Sequence, residues 1–458
     1  MDNSKEVNNP QEKKESKKIK KESKDSTKKD RVVLIDGCRT PFLKSGTGFR
    51  DLMGWQLGQY AVQGLMARSG IPYDTIDQVI FGCVAPDIAT TNIAREISLG
   101  AGLPSSIPAH TCTVACISAN QAITNATALI ASGNADVIIA GGVESFSDAD
   151  IRISKKYRKF LLDLGMYKRP KTLTGKLKLL KGMGITDFIL PEKPSISEYS
   201  TGIIMGENAD RLSKRLNISR ERQDEYSEMS HKRAVKAQNN GTFNEDIIPV
   251  VPPGTDKVYY VDNGPRNDAT AAKLSGLRGS FDKKYGTVTA GNSSFLTDGA
   301  ASVLLMSESK AKELGLKPMA FINSFAYTGQ DPVEELLLGP AFSITKLLKK
   351  ENLTLDDIGV LEIHEAFAAQ MLGNMDCLES DEFAQEFFGL ESKLGNINID
   401  RLNLHGGSLS IGHPFGATGA RLLTTCARRL KAENQKFGIV SGCAAGAVGN
   451  AILIESAE

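Results

Sequence analysis

The chain repeats one structural pattern in its two halves. The stretches LMARSGIPYDTIDQVIFG (65–82) and LLKKENLTLDDIGVLEIH (347–364) align without gaps, and Asp74 falls opposite Asp356. Each stretch is typical of a helix end, a turn and an apolar strand. Self-similarity of this kind indicates an internal duplication. The fold must therefore contain two related units rather than one unrepeated core.

A second pair of stretches extends the repeat. ADVIIAGGVES (135–145) and KFGIVSGCAAG (436–446) are apolar strands that run into glycines. A helical stretch precedes each of them, at 117–132 and at 417–431. Because strands alternate with helices in both halves, the sequence predicts the α/β class.

The predicted organisation has four parts, since 458 residues are too many for one ordinary hydrophobic core. An N-terminal half is expected at 31–146 and 276–310, and a C-terminal half at 311–458. Residues 147–275, where the repeat pattern stops, are predicted to form an inserted loop domain. Residues 1–30 are almost all charged or polar, which predicts a disordered tail.

Bulk properties narrow the function classes. A formal net charge of +1 argues against a nucleic-acid-binding protein, and no apolar run is long enough to span a bilayer. Seven cysteines without repeated spacing indicate free thiols in a reducing compartment. We expect a cytoplasmic protein. A mitochondrial location is the alternative, although acidic residues interrupt the lysines of the tail.

The insert carries a strongly basic stretch at 152–190. It contains eleven Lys and Arg residues against Asp163 and Asp187, with apolar side chains interleaved. Such amphipathic basic segments suit a polyphosphate ligand, a protein partner or an anionic membrane surface. A solvated surface of the insert is an equally good interpretation.

Two cysteines four residues apart, Cys112 and Cys116, could share a helix face and bind a metal. Cys112 lies in an alternating Thr-Cys-Thr-Val stretch that is typical of a strand, whereas Cys116 directly precedes a helix. The start of a helix favours a thiolate. The pattern therefore predicts a nucleophile at Cys116 and no metal site.

Partners for that nucleophile come from the second half. His413 lies in a Gly-His-Pro turn of GGSLSIGHPFGATGARLL (406–423) and can accept a thiol proton. Cys443 lies among small residues in SGCAAGAVGNA (441–451), which lacks the spacing of a dinucleotide site. His364, in the HEAFA stretch, ends a predicted buried strand. A polar side chain is costly there unless it has a catalytic role or a hydrogen-bond partner.

Together these motifs resemble the thiolase family. They are VACISANQA, AGGVES, GTVTAGNSSFLTDGAA, HEAFA, GGSLSIGHPFGATGAR and CAAGAVGNA, and they occur in the family's order from Arg31 to the C-terminus. HEAFA and the long basic insert are similar to the thiolase subunits of mitochondrial and bacterial β-oxidation complexes. The resemblance implies a duplicated thiolase fold with a layered αβαβα core. It also implies a 3-ketoacyl-CoA thiolase, which uses coenzyme A to release acetyl-CoA through an acyl-cysteine.

The resemblance also assigns roles to residues. Cys116 would be the acylated nucleophile, His413 would activate it, and Cys443 would be the acid/base. His364, with His413, would polarise a thioester or keto oxygen.

Further roles concern the backbone and the coenzyme. The N–H groups of Cys116 and Ala445 would form an oxyanion site, and Ser294 and Ala290 would lie beside coenzyme A. The resemblance implies no metal or redox cofactor, with coenzyme A as a substrate. It also implies a homodimer and a complex with a hydratase/dehydrogenase α-subunit.

Other functions stay open at this point. A biosynthetic acetoacetyl-CoA thiolase would run the condensation with the same residues. A decarboxylating ketoacyl synthase or a cysteine hydrolase would have no use for Cys443. A non-catalytic lipid carrier could keep the fold without the reaction.

Overall fold

The computed structural model describes residues 30–150, 153–189 and 197–458. The predicted tail, apart from Asp30, lies outside the described residues, and so does Arg152 of the basic stretch. Across the described ranges, no helix combines the length and the apolar composition that a membrane span requires.

Ten strands are found in the described part of the chain. They are β1 (Val32–Arg39), β2 (Leu43–Lys44), β3 (Gln78–Gly82), β4 (Ala109–Cys112), β5 (Val137–Glu144), β6 (Thr297–Ser307), β7 (Ala320–Gly329), β8 (Ile358–Ile363), β9 (Phe437–Ala444) and β10 (Val448–Ser456).

The α-helices of the same ranges include several short ones. They are α1 (Gly54–Ser69), α2 (Ile93–Gly100), α3 (Ser118–Ala131), α4 (Lys155–Leu162), α5 (Leu173–Leu179), α6 (Ile185–Ile189), α7 (Met205–Arg215), α8 (Arg220–Asn239), α9 (Ala271–Leu274), α10 (Glu308–Glu313), α11 (Gly339–Glu351), α12 (Ala368–Leu378), α13 (Asp381–Phe383), α14 (Ser408–Ile411) and α15 (Thr418–Ala432).

The sheet order confirms the duplication. The strands run β4-β3-β5-β6-β1-β7-β10-β9-β8, with β2 on β6. Read outward from the β1–β7 contact, the succession β1, β6, β5, β3 in one half matches β7, β10, β9, β8 in the other. The directions match as well, because β3 and β5 are parallel, as are β8 and β9. Strands β5 and β6, like β9 and β10, are antiparallel.

Helices separate and cover the two half-sheets. Helices α3 and α15 pack against each other and against strands of both halves, within one buried apolar cluster. A second cluster joins α1 and α2 to the outer face of the first half-sheet. A third joins α11 and α12 to the outer face of the second. This succession of layers is the predicted αβαβα core.

The close approach of α3 and α15 brings two predicted turns together. A Cβ atom on Gly419, in α15, would lie 1.9 Å from the Asn120 side-chain oxygen of α3. Only glycine permits this approach. Since Cys116 lies just before α3 and His413 just before α15, the two residues face one another at the first turns of their helices.

Candidate active site

A cavity of about 520 Å³ opens where the two halves meet the insert. We call it the catalytic cavity. Five predicted site residues line it: Cys116, His413, Cys443, Ala445 and Ser294. Its wall is completed by Ile204, Met205, Gly206, Phe281, Ser293, Phe295, Leu296, Leu336, Leu337, Ala366, Phe367, Phe415 and Ala444. The structure therefore gathers residues that are more than 300 positions apart in the sequence.

The turn that carries Cys116 has an unusual backbone. Ala115, directly before it, has φ of 41°, a left-handed conformation that is rare for residues with a side chain. The Ser118 hydroxyl fixes this turn: it donates to the Ala115 carbonyl oxygen at 2.7 Å and accepts from the Val114 N–H at 2.9 Å. The turn holds the thiol at the cavity wall, ahead of α3. Strain of this kind occurs preferentially at functional sites.

Burial controls the protonation of the Cys116 thiol. Burial raises its pKa to about 12, and the nearby Glu144 carboxylate acts in the same direction. The N–H groups of Cys116 and Ala445 lower the pKa, as expected for a thiol near a helix start, but their effect is smaller. Desolvation penalises the charged form more than the two N–H groups stabilise it, so burial opposes the thiolate that the helix start favours.

His413 is held in one orientation by two threonines. Gly412, with φ of 109°, begins the turn, and the His413 N–H donates to Thr297 Oγ1 at 3.0 Å. The Thr418 hydroxyl donates its only proton to the Pro414 carbonyl oxygen at 3.0 Å. It must therefore accept from Nδ1–H of His413, which lies 2.6 Å away. This assignment leaves Nε2 of His413 as an unprotonated base.

His364 lies directly behind His413, at the end of β8. The two ring centroids are 3.9 Å apart, with the planes tilted by 36°. Its Nδ1 lies 2.9 Å from the Ser408 hydroxyl. His364 is only 1% exposed and is not part of the cavity wall, so it lies behind the residues that face the cavity.

The protein environment keeps both imidazoles neutral. Burial, followed by the positive charge of Arg421, lowers the pKa of His364 to about 3. The pKa of His413 is well below its usual range, through burial first and then the charges of His364 and Arg421. Arg421 is itself buried and lies 3.8 Å from the Glu362 carboxylate. Each neutral ring keeps a nitrogen lone pair that can accept a proton, but the lowered pKa makes it a weaker base than an exposed histidine.

The three groups converge on one point. Cys116 Sγ and a ring nitrogen each of His364 and His413 lie within 4.8 Å of one another. No spacing in the sequence predicts this cluster, because Cys116, His364 and His413 come from three distant motifs that only the fold brings together. Cys443 lines the same cavity, and burial raises its pKa, with a further contribution from the Cys116 charge.

The sequence analysis missed a carboxylate that joins the two halves. Glu144 ends β5 and is completely buried. It accepts hydrogen bonds from the N–H groups of Ala85 and Gly416, both at 2.9 Å, and of Val84 at 3.2 Å. Since Gly416 belongs to the His413 turn, Glu144 fixes that turn against the first half. Its place in AGGVES was visible, but its partner 272 residues away was not.

Glu365 of the HEAFA stretch has the partner that its buried position requires. Its carboxylate accepts hydrogen bonds from Ser230 and Asn403, each at 2.8 Å, and from Tyr226 at 3.2 Å. Ser230 and Tyr226 are on α8, so this network attaches the insert to the end of β8.

A second contact links the insert to the loop after Cys443. Glu198 accepts a hydrogen bond from the Gly446 N–H at 2.5 Å. Gly446 has φ of 89° and Ala447 φ of 53°, so both backbones are left-handed. Glu198 thereby holds the Ala445 segment in the conformation that lines the cavity, a role that spacing alone could not reveal.

The two predicted coenzyme A contacts differ in position. Ser294 lies on the cavity wall, and its N–H donates to the Ala366 carbonyl oxygen at 2.9 Å. Ala290 is exposed and lies outside the cavity wall. Its contact with coenzyme A stays a prediction.

Comparisons with known proteins agree with this geometry. The model of the thiolase N-terminal domain matches residues 32–309, and that of the thiolase C-terminal domain matches residues 316–456. The mitochondrial trifunctional enzyme subunit beta of Bos taurus is 48% identical, over 93% of this chain and 88% of that protein. A probable 3-ketoacyl-CoA thiolase of Caenorhabditis elegans is 47% identical, over 93% and 94%.

A solved structure shares the fold. The crystal structure of the Bacillus anthracis acetyl-CoA acetyltransferase superposes with a TM-score of 0.79 and 32% identity, over 93% of this chain and 99% of that one. The duplicated half-sheets, the paired helix starts and these matches lead to one conclusion: the chain belongs to the thiolase family.

Proposed function

We propose that this protein is a 3-ketoacyl-CoA thiolase of fatty-acid β-oxidation, an acyltransferase that works through an acyl-cysteine. The observation that carries the proposal is the clustering of one thiol and two neutral imidazoles beside a cavity that a second thiol also lines. One nucleophile and two acid/base groups suffice to break and remake a carbon–carbon bond beside a thioester.

In the first step, Cys116 Sγ attacks the keto carbon of the substrate. The thiol proton passes to His413 Nε2, which the Thr418 hydrogen bond leaves unprotonated. Because both groups rest in their neutral forms, proton transfer accompanies the attack. The keto oxygen becomes an alkoxide and needs hydrogen-bond donors. His364 can donate from Nε2–H in the tautomer whose Nδ1 accepts a hydrogen bond from the Ser408 hydroxyl.

Collapse of that alkoxide expels the enolate of acetyl-CoA. Cys443 protonates the enolate at carbon, which leaves the shortened acyl group on Cys116. Free coenzyme A then gives its thiol proton to the Cys443 thiolate and attacks the acyl-cysteine. The shortened acyl-CoA is released, and the departing Cys116 sulfur takes back the proton held by His413. The N–H groups of Cys116 and Ala445, which already act on the Cys116 sulfur, are the donors for the oxygen of that thioester.

The cavity wall favours a long acyl chain over the acetoacetyl alternative. Among its residues are Met205, Phe281, Leu336, Leu337 and Phe367, none of which offers a polar side chain. A four-carbon substrate would leave most of this apolar surface in contact with water, whereas each buried methylene contributes about 0.8 kcal/mol.

The pantetheine arm and the polar end of coenzyme A need a different surface. Ser294 is the proposed contact for the arm, together with Ala290 where the chain leaves the cavity. A polar cavity of about 990 Å³ adjoins the catalytic cavity and shares Phe281 with it. Its wall includes the cations Arg211 and Lys214, which suit phosphate groups, together with the acidic residues Glu207, Asp210 and Asp282. The inserted loop domain would thus hold the nucleotide.

The basic stretch of the insert carries exposed apolar side chains as well as charge. Seven large ones are exposed between 153 and 189: Leu161, Met166, Tyr167, Leu173, Leu177, Ile185 and Phe188. Phe188 also packs against Tyr157, with ring centroids 5.0 Å apart. Interleaved cations and exposed apolar groups are typical of contact with an anionic bilayer. We propose peripheral membrane contact through this stretch.

Association with other chains is part of the same proposal. The relative from Bos taurus is named a subunit of a trifunctional enzyme. We propose that this chain likewise binds a hydratase/dehydrogenase α-subunit and forms a homodimer, as the family resemblance implies. We further propose that it uses no metal or redox cofactor, because the reaction balances with protons alone.

The cysteines and the named relatives point to different compartments. Free cysteines, including the buried Cys443, favour a reducing compartment, which supports the cytoplasm. The trifunctional relative is named mitochondrial. Fractionation of cells that produce the full chain would distinguish the two.

A thiolysis assay tests the activity. The purified chain is given free coenzyme A and either acetoacetyl-CoA or a long-chain 3-ketoacyl-CoA. We expect acetyl-CoA from both, with the larger kcat/KM for the long chain. Preference for acetoacetyl-CoA would favour the biosynthetic alternative, and no turnover of either would favour a lipid carrier.

Vesicle flotation tests the membrane contact. We expect binding to vesicles that contain anionic phospholipid, lost when Lys156, Arg158 and Lys159 are replaced by Glu. The matched control reverses the charge of Lys310 and Lys312, which lie on α10 outside the insert. Equal flotation of both variants would contradict the proposal.

A further inference from the structure

The residues that the proposed acyl transfer uses also form a set of candidate metal ligands. Cys116 Sγ and one nitrogen each of His364 and His413 all lie within 4.8 Å of one another. Nε2 of both imidazoles is buried and has no hydrogen-bond partner among the described residues. Both side chains are at most 2% exposed. Thiolate and imidazole are the ligands that zinc prefers in proteins.

Hydroxyl groups hold the two rings from behind. Nδ1 of His364 lies 2.9 Å from Ser408 Oγ, and Nδ1 of His413 lies 2.6 Å from Thr418 Oγ1. Metal-binding histidines ordinarily use one ring nitrogen for the metal and the other for such a contact. The unpartnered Nε2 atoms are therefore the ones available for an ion.

The distances are compatible with a tetrahedral site after a small adjustment. Zinc lies about 2.0–2.3 Å from nitrogen and sulfur ligands, so ligand atoms around it are about 3.5 Å apart. The observed upper limit of 4.8 Å requires each ligand atom to move by about 1 Å or less. Rotation of the Cys116 side chain, which is only half-buried, can supply most of this movement.

We propose that the catalytic cavity is also an inhibitory site for Zn²⁺. The ion is bound by Cys116 Sγ and by Nε2 of His364 and His413, with water at the fourth position, facing the cavity. When the zinc–sulfur bond forms, the thiol proton leaves to solvent, and no group is oxidised or reduced. The ion occupies the point at which the reacting carbon would lie. Zinc and an acyl group on Cys116 are therefore mutually exclusive.

Cobalt titration of the full chain tests this proposal without measuring activity. The chelator-treated protein is titrated with Co²⁺ in the absence of oxygen, and Zn²⁺ is then added. We expect one Co²⁺ per chain, visible bands of tetrahedral geometry with a sulfur charge-transfer band, and loss of these bands as Zn²⁺ displaces cobalt. Absence of the sulfur band at several equivalents of Co²⁺ would overturn the proposal.

Variants identify the ligands. Cys116→Ala and His413→Ala should each weaken binding by at least about a hundredfold, and Ser408→Ala by about tenfold. Cys112→Ser is the matched control, because Cys112 is the other half-buried cysteine and donates to the Ser118 carbonyl oxygen, away from the cavity. Unchanged affinity in Cys116→Ala and His413→Ala would locate the ion elsewhere and overturn the proposal.

Acylation of the wild-type protein gives the same test without a substitution. Protein acylated with acetyl-CoA should bind no Co²⁺ and regain binding when coenzyme A removes the acyl group. Equal binding before and after acylation would contradict the proposal. Thiolysis by the metal-free protein is measured in parallel, so failure of the zinc site is distinguished from failure of the proposed thiolase activity.

Discussion

Both halves of the molecule place a reactive side chain directly after a residue with positive φ, ahead of one of the two paired helices. Ala115, with φ of 41°, precedes Cys116 and helix α3; Gly412, with φ of 109°, precedes His413 and helix α15. Burial acts on both side chains but moves their pKa values apart, raising that of the thiol and lowering that of the imidazole. Duplication thus supplies two comparable positions, and in both of them burial favours the neutral form of the side chain.

The comparison also explains why a buried site can work with neutral groups. A thiolate–imidazolium pair in this cavity would carry two charges that lost their hydration. The neutral pair avoids that cost until substrate arrives, and His364 is then the proposed hydrogen-bond donor to the keto oxygen that becomes charged.

The largest effect is expected at the position of the first half. Cys116→Ala removes the nucleophile and should lower thiolysis by about 10⁴-fold or more. Cys112→Ala, four residues earlier, should leave kcat within about twofold, because it lies outside the cavity wall. Steady-state kinetics of the two variants would check this. Comparable losses of kcat in both would contradict the assignment of Cys116, and not Cys112, as the nucleophile.

The equivalent position of the second half should show a smaller loss. His413→Asn keeps a polar side chain but removes the base, and general-base catalysis contributes about 10²–10⁴-fold. The rate of Cys116 acylation by acetyl-CoA, measured in single turnovers, reports this step directly. Acylation at the wild-type rate would mean that another group accepts the thiol proton.

Much of this comparison could be predicted from the sequence. The helical stretches expected at 117–132 and 417–431 are observed at Ser118–Ala131 and Thr418–Ala432, because small residues and glycines mark both starts. The left-handed Ala115 could not be predicted, since alanine gives no local signal for that conformation. Nor could the raised pKa of Cys116, which depends on burial by residues from both halves and the insert.

A smaller loss should follow from disturbing the tautomer of His413. Thr418→Val is nearly isosteric but leaves Nδ1–H without its acceptor, which costs about 1–3 kcal/mol. We expect kcat to fall by about ten- to a hundredfold with little change in KM. Thr418→Ser should restore most of the activity; an equally low kcat in both variants would indicate a packing effect instead.

The smallest effect concerns the carboxylate that joins the two turns. Burial raises the pKa of Glu144 to about 7 from an ordinary value of 4.5. Because the folded state holds this proton more tightly than the unfolded chain, the stabilisation is complete below pH 4.5 and is lost as the pH rises through 7. The difference in unfolding free energy between wild type and Glu144→Gln should therefore fall over this window, by at most about 3 kcal/mol.

Glu198→Gln is the control for that experiment. Burial alone would raise the pKa of Glu198, but hydrogen bonds from the Gly446 N–H and the Ser200 hydroxyl lower it below its ordinary value. Its contribution is present above the unfolded pKa and is lost as the pH falls. Denaturant unfolding at several pH values should thus give slopes of opposite sign for the two variants. Slopes of the same sign would contradict the assigned burial of Glu144.

One measurement tests most directly whether the two thiols share one reacting carbon. Cys443→Ala is mixed first with acetyl-CoA and then, separately, with a 3-ketoacyl-CoA and free coenzyme A. The account predicts an acyl group on Cys116 at near-normal yield by peptide mass spectrometry, and loss of carbon–carbon cleavage. Full thiolysis by this variant, or an acyl group on a residue other than Cys116, would contradict it.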